Sequence, residues 1–233
     1  MVSVIFKGGR LPSWHALRSE EQDAYSQEHV DLMLRVAEEH RLQRIEGFRL
    51  IGRQGSWERF WIIEVPTVRA AETWIQAEMA PPYGRYGYYE YHLSRPKSPK
   101  ALEGFALCPV ATEGLTADAH EIPSLAVDPS SLVTIIFERE LAESVVVAAT
   151  EGQHVKRLQA VASEHGLMRY ERFELLTPQA GWHRVWVNEF PTLAGGEAWI
   201  DAQTSPERSM HCEHTTYLAR KWAPEYFATW SRA

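Results

Sequence analysis

Val2 to Lys7 alternate apolar and polar side chains in the manner of a half-buried strand, and Leu132 to Glu138 repeat the pattern. Behind each comes a stretch with helical spacing, Met33, Val36 and Ala37 in one place and Leu158, Val161 and Ala162 in the other. Ser19 with Gln22, and Thr150 with Gln153, are spaced as capping boxes, and Gly166 just past His165 reads as a helix stop. FRLIG and FELLT, the turn-like GRQGS and TPQAG, then WERFWIIEV and WHRVWVNEF describe two strands joined as a hairpin. Pro66-Thr67 and Pro191-Thr192 close that hairpin and open a second helix burying Trp74-Ile75 or Trp199-Ile200. Tyr86 to Leu93 and His211 to Leu218 supply a last strand. The order is β-α-β-β-α-β, a ferredoxin-like α+β unit with one sheet and two helices on one face.

The pattern occurs twice because the chain contains itself twice. Residues 29–78 align without a gap on 154–203, with about 22 of 50 positions identical. The same offset pairs Pro81 with Pro206, Leu93 with Leu218 and Arg95 with Arg220. Upstream, matching SVIFK to VTIIFE sets Phe6 against Phe137 and leaves the first copy roughly six residues longer before its first helix, where insertions are tolerated. The expected division is a first unit at 1–95, a linker at 96–130 carrying Pro96, Pro99, Pro109, Pro123 and Pro129, and a second unit at 131–233.

A ferredoxin-like sheet leaves one face uncovered by its helices, and here that face is expected to be rich in Trp; pairing two sheets would bury it around a cavity. The EFPT-x-x-x-GEAW run of the second copy and EVPT-x-x-AAETW of the first resemble the strand-to-helix signature of the dimeric α/β-barrel superfamily. The resemblance implies two ferredoxin-like units in tandem forming an intramolecular dimeric α/β barrel, as in fused members such as chlorite dismutase. The superfamily spans cofactor-free monooxygenases, isomerases, polyketide cyclases, haem enzymes and proteins without a known role, so it speaks for fold more than for activity.

Taking Phe60, Ile62, Val185 and Val187 as helix-facing turns Trp57, Arg59, Trp61, Trp182, Arg184 and Trp186 toward the cavity. They read either as aromatic barrel fill with cross-sheet ion pairs, or as an apolar slot in which Trp57, Trp61, Trp182 and Trp186 hold a substrate and an Arg meets an anionic or enolate oxygen. With Leu93 and Leu218 facing the helices, Tyr88, Glu90 and His92 join the cavity, as do Glu213, Thr215 and Tyr217, with His211 one step earlier. These are candidate acids, bases and oxyanion partners, or a hydrogen-bond network at the mouth. His29 and His154 recur in both copies, bordering the core or contacting haem or substrate, and His40 and His165 sit near helix C-termini. Glu64 and Glu189, before Pro-Thr, are expected at a helix N-terminus. His211, Cys212 and His214 are the one metal-like group, but strand geometry splits the two His, so no metal site is assigned.

A formal charge of −7 without a long basic run speaks against a nucleic-acid partner. No apolar run reaches a membrane span, the N-terminus lacks a signal-peptide pattern, and Cys108 and Cys212 cannot build a disulfide framework, so a cytoplasmic location is expected. No G-x-S-x-G, Walker A, dinucleotide fingerprint or HExxH is present. The leading expectation is a small-molecule enzyme that oxygenates, isomerises or cyclises an aromatic or polyketide-like substrate without a cofactor. Arg59 or Arg184 would stabilise an enolate and His92, Glu90 or His211 would move a proton. The alternatives are a haem protein with His29, His154 or His211 as axial ligand, and a non-catalytic ligand-binding or assembly module. A monomer or a homodimer of fused pairs is expected.

Overall fold

The computed structural model describes residues 1–97, 130–141, 148–176 and 181–227. The linker beyond Lys97 with Cys108, the Thr150 side chain and most of the TPQAG turn lie outside the described residues. The chain divides into two compact units. The first comprises Met1–Ser94 together with the C-terminal segment from Lys221, and the second runs through Asp128–Arg220. Residues 221–227 therefore group with the first unit, whereas the expected second unit ran from 131 to 233.

In the first unit the strands are β1 (Val2–Arg10), β2 (Arg44–Gln54), β3 (Trp57–Val65) and β4 (Gly87–Lys97). They form an antiparallel sheet in the order β4-β1-β3-β2. The helices are a short α1 (Pro12–His15), α2 (Ser19–Glu39) and α3 (Val68–Glu78). The second unit repeats the plan with β5 (Leu132–Glu140), α4 (Ala148–His165), β6 (Arg169–Leu175), β7 (Arg184–Phe190), α5 (Leu193–Gln203), a short α6 (Pro206–Ser209) and β8 (Cys212–Lys221). Its strand order is β8-β5-β7-β6. Each unit is thus ferredoxin-like, as the sequence predicts.

The helices form where the expected signals lie, with local adjustments. Thr67 and Thr192 cap α3 and α5 by accepting the N–H of Ala70 and Gly195. The first capping box is displaced by one residue: Arg18 is the cap, its N–H donates to Glu21, and Gln22 instead donates to the carbonyls of Trp14 and Leu17. Gly166 ends α4 with φ +65, and Arg41 adopts φ +54 at the matching position of the first unit. Glu64 accepts from Ser3 and Arg44, and Glu189 from Ser131, so these buried acids tie neighbouring strands together.

Strand pairing corrects the match between copies. Phe6 lies opposite Trp61, whereas Ile136, not Phe137, lies opposite Trp186. Ile136 is therefore the counterpart of Phe6, Glu138 that of Gly8, and the insertion in the first copy is one residue shorter than expected. That insertion holds α1, whose Trp14 packs edge-on against Tyr83.

Sheet faces are also partly reversed. Trp61 and Ile63 pack with Val30, Met33 and Trp74, on the side covered by α2 and α3. Trp186 packs with Leu158 and Trp199 against α4 and α5. Phe60 and Ile62 are equally buried on the opposite face. The run Phe60-Trp61-Ile62-Ile63 is apolar throughout, so period-two alternation had no polar phase by which to choose a side. Trp222, Tyr226 and Phe227 of the C-terminal segment join the helix-side core of the first unit.

Candidate functional site

Each unit carries a charge cluster between its sheet and its helices. In the first, α3 ends with Glu78 one turn beyond buried Trp74, which places a carboxylate on the apolar face of the helix. His29 of α2 meets it, Nε2 to Oε2 3.4 Å, and both side chains are buried. The imidazole stacks on Tyr83 at 4.0 Å between ring centroids, and the Arg10 guanidinium lies 3.7 Å from the centre of the same phenol ring. Burial opposes ionisation of Glu78, but His29, Arg59 and Arg10 outweigh it and hold the acid below the usual carboxylate range. Tyr83 and Tyr226 share a hydroxyl hydrogen bond of 2.6 Å. A small void of about 10 Å³, room for about one water, is lined by His29, Arg59, Trp61, Glu78, Tyr83 and Tyr226.

The second unit solves the same problem with different residues. The counterpart of Glu78 is Gln203, and the carboxylate is supplied from the strand by Glu138, which has no solvent exposure. Glu138 accepts from Arg184 at 2.6 Å, Arg208 at 3.0 Å, His214 at 3.1 Å and Gln203 at 3.4 Å. Burial would raise its pKa, but the His214 hydrogen bond and the Arg208 and Arg184 charges hold it well below the usual range. Arg184 also reaches Glu140 and Glu174.

Beside this cluster opens a cleft lined by Glu151, His154, Arg157, Glu207, Arg208 and His211, among others. The Nδ1 atoms of His154 and His211 are buried without a partner. Burial, then the nearby Arg208 charge, pushes His154 down to about 4, so its ring is neutral near pH 7. The cleft itself has only about 20 Å³ of free space, but an open groove of about 370 Å³ adjoins α6, lined by Thr204, Ser209, Cys212 and His214. Burial raises the Cys212 thiol to about 11, which keeps it protonated.

The other sheet face of the first unit gathers Tyr88, Glu90 and His92. Glu90 receives His92 Nε2 at 2.7 Å and Lys7 Nζ at 2.5 Å, and these two partners bring it down to about 2. Trp57 stands beside Tyr88 and under the Lys7 ammonium. In the second unit Trp182 and Tyr217 pack on Phe137, while Glu213 lies at the surface paired with Arg139. Arg59, Trp61, Arg184 and Trp186 do not join Tyr88, Glu90 and His92; they lie on the helix side. His211 and His214 both turn toward the second-unit cluster rather than to opposite faces. Among the described residues no three metal-type ligands converge.

Sequence reading passed over Glu78, Tyr83, Arg10, Glu138 and Arg208. Two of them carried a visible signal: Glu78 follows Trp74 by four residues on an amphipathic helix, and Glu138 follows Ile136 by two on a strand.

No family profile matches the chain, and no curated protein does. Solved structures do. A variant of chlorite dismutase from Candidatus Nitrospira defluvii superposes with a TM-score of 0.70 at 14% identity, over 95% of this chain and 92% of that one. A second variant gives 0.69 at 13%, over 99% and 95%. A haem-binding protein from Thermus thermophilus gives 0.61 at 10%, over 100% and 95%. These neighbours are chlorite dismutase-like proteins of the dimeric α/β-barrel superfamily that the sequence resembles, and at such identities the likeness is one of fold.

Proposed function

We propose that this chain binds haem in its second unit, with His154 as the first candidate for the iron ligand and His211 as the other. The observation that carries the reading is the pair of imidazoles with unpartnered Nδ1 atoms beside two arginines, on a fold shared with haem proteins. A neutral imidazole is the form that ligates a metal, and burial keeps His154 in that form. Arg157, paired with exposed Glu207, and Arg208, held by Glu138, would share their remaining donors with the propionates. The cleft as it stands is too small for a porphyrin, so the reading requires it to widen on binding.

The first unit does not fit the group. His29 directs Nε2 at Glu78, its ring is stacked on Tyr83, and the void before it admits about one water. Haem, when bound, supplies redox or oxygen-ligand chemistry tuned by its axial ligand and surrounding charges. The chain's own part is to offer a neutral imidazole, to hold anionic groups at Arg157 and Arg208, and to keep Arg208 in place through Glu138. Cofactor-free enolate chemistry draws no comparable support, because Arg184 is already held by three carboxylates and Arg59 is sealed in the core.

Titration of the purified chain with haemin tests this. A saturable Soret band at one haem per chain is expected, lost or spectrally shifted in His154→Ala, and weaker by about tenfold in Arg157→Ala. No Soret band in the unaltered chain overturns the proposal, and loss in His211→Ala alone reassigns the ligand.

A further inference from the structure

One wall of the His154 cleft is α4 and the other is the 205–211 segment that holds α6. The backbone bonds of that segment are largely its own: the N–H groups of Ser209, Met210 and His211 donate to the carbonyls of Ser205, Pro206 and Arg208. None of the four α6 residues is buried, and Met210 just beyond them is 68% exposed. A segment bonded within itself and without a buried side chain can move as one piece at little cost. It is tied to the rest of the unit by Arg208, 3.0 Å from fully buried Glu138, and across the mouth of the cleft by Glu207, 3.4 Å from Arg157 of α4 with both side chains exposed.

The first unit shows the same segment locked. In the alignment of the repeats Tyr83 corresponds to Arg208 and Tyr86 to His211. Tyr83 is buried, stacked on His29 and hydrogen-bonded to Tyr226, and Tyr86 packs on Trp14 and Tyr25. A Cβ on Gly84 would stand 2.2 Å from the Met79 backbone, so the segment also lies tight against the end of α3. Buried rings hold far more firmly than an exposed ion pair does. The second unit has exchanged the first kind of fastening for the second.

We infer that the 205–211 segment is a gate over the His154 cleft, swinging about Thr204 and His211, with Arg157–Glu207 as its latch and Arg208–Glu138 as its tether. What the gate admits rests on the haem reading; its opening is a property of the bare chain.

Cys212 reports that opening, because it follows the segment directly, is 2% exposed and shares a groove with Thr204 and Ser209. In a Cys108→Ser background it is the only thiol, and its labelling by a neutral maleimide is followed without haem. Labelling is expected to be about two- to fivefold faster in Glu207→Gln at an unchanged melting temperature, the range that an exposed ion pair controls. Sodium chloride should speed it in the parent and not in Glu207→Gln, and the charge swap Arg157→Glu with Glu207→Arg should restore the parent rate. Equal labelling in the parent and Glu207→Gln, or a gain that only follows a fall in melting temperature, overturns the inference. Haemin mixed with the two chains is expected to raise a Soret band faster in Glu207→Gln, and equal rates overturn the gate as the route of entry. Absence of the band from both chains sinks the haem reading alone, and the labelling then decides the gate.

Discussion

Glu138 takes the Arg184 guanidinium at 2.6 Å from a position with no solvent exposure, and the same strand register sets Gly8 opposite Arg59 in the first unit. Glu138 is therefore the keystone acid for Arg184 and Arg208 and the hydrogen-bond partner of His214 in the second unit. Glu138→Ala is expected to cost about 3–5 kcal/mol in urea unfolding, since it strands buried positive charge. Glu140→Ala, which removes the exposed partner of the same arginine, is expected to cost less than about 1 kcal/mol. Equal effects from the two variants would show that burial of Glu138 is not what matters.

Acid is expected to unfold the chain in two stages. Glu138 and Glu78 titrate lower in the fold than in an unfolded chain, so their contribution is complete above the ordinary carboxylate pKa and is lost as pH falls through and below it. His154 is held at about 4 against an ordinary 6.5, so the fold disfavours its protonation, and stability declines from about pH 6.5 down to about 4. Urea midpoints measured across pH 7.5 to 3 should fall throughout, and His154→Gln should flatten the upper part alone. An unchanged slope between pH 6.5 and 4.5 in that variant refutes the assignment.

Arg41 and Gly166 end the first helices of the two units at equivalent positions, both with left-handed backbone. A side chain there is strained by about 1–2 kcal/mol, partly offset by the lower unfolded entropy of a non-glycine residue. Arg41→Gly should therefore stabilise by about 0.5–1 kcal/mol and Gly166→Ala destabilise by a similar amount. Calorimetric melting of both variants checks the opposite signs.

Gly47 of β2 accepts the Trp222 N–H at 2.8 Å, and a Cβ at Gly47 would stand 2.4 Å from the Trp222 carbonyl oxygen and 3.0 Å from the Trp61 ring. Gly47→Ala is expected to destabilise by about 1–3 kcal/mol through overpacking and to loosen the C-terminal segment. Trypsin should then cut at Lys221 faster than in the parent chain. Unaltered cleavage and stability would mean that the segment is not anchored there.

The element order was legible because the duplicated stretches carry the same helix caps and hairpins, and two independent copies of Pro-Thr before an Ala- or Gly-rich helix leave little choice of reading. Tyr88, Glu90 and His92 were placed together because Leu93 fixed the phase of their strand. Arg59 and Trp61 were turned to the wrong side for a physical reason: β3 is buried on both faces, so its sequence holds no amphipathic phase to read. The polar clusters were harder still. They are built from residues distant in sequence, Glu78 with His29 and Glu138 with Arg208, and no local spacing announces such a meeting.

The exchange of Glu78 and Gly8 for Gln203 and Glu138 has a consequence for the ancestry of the gene. Recombination between the two repeats would create hybrids whose helix and strand come from different halves. One hybrid combines Gly8 with glutamine on the helix and loses its internal acid; the other joins Glu138 to a glutamate and carries two. Both hybrids are expected to be less stable than either parent half, which would keep the two halves from overwriting each other.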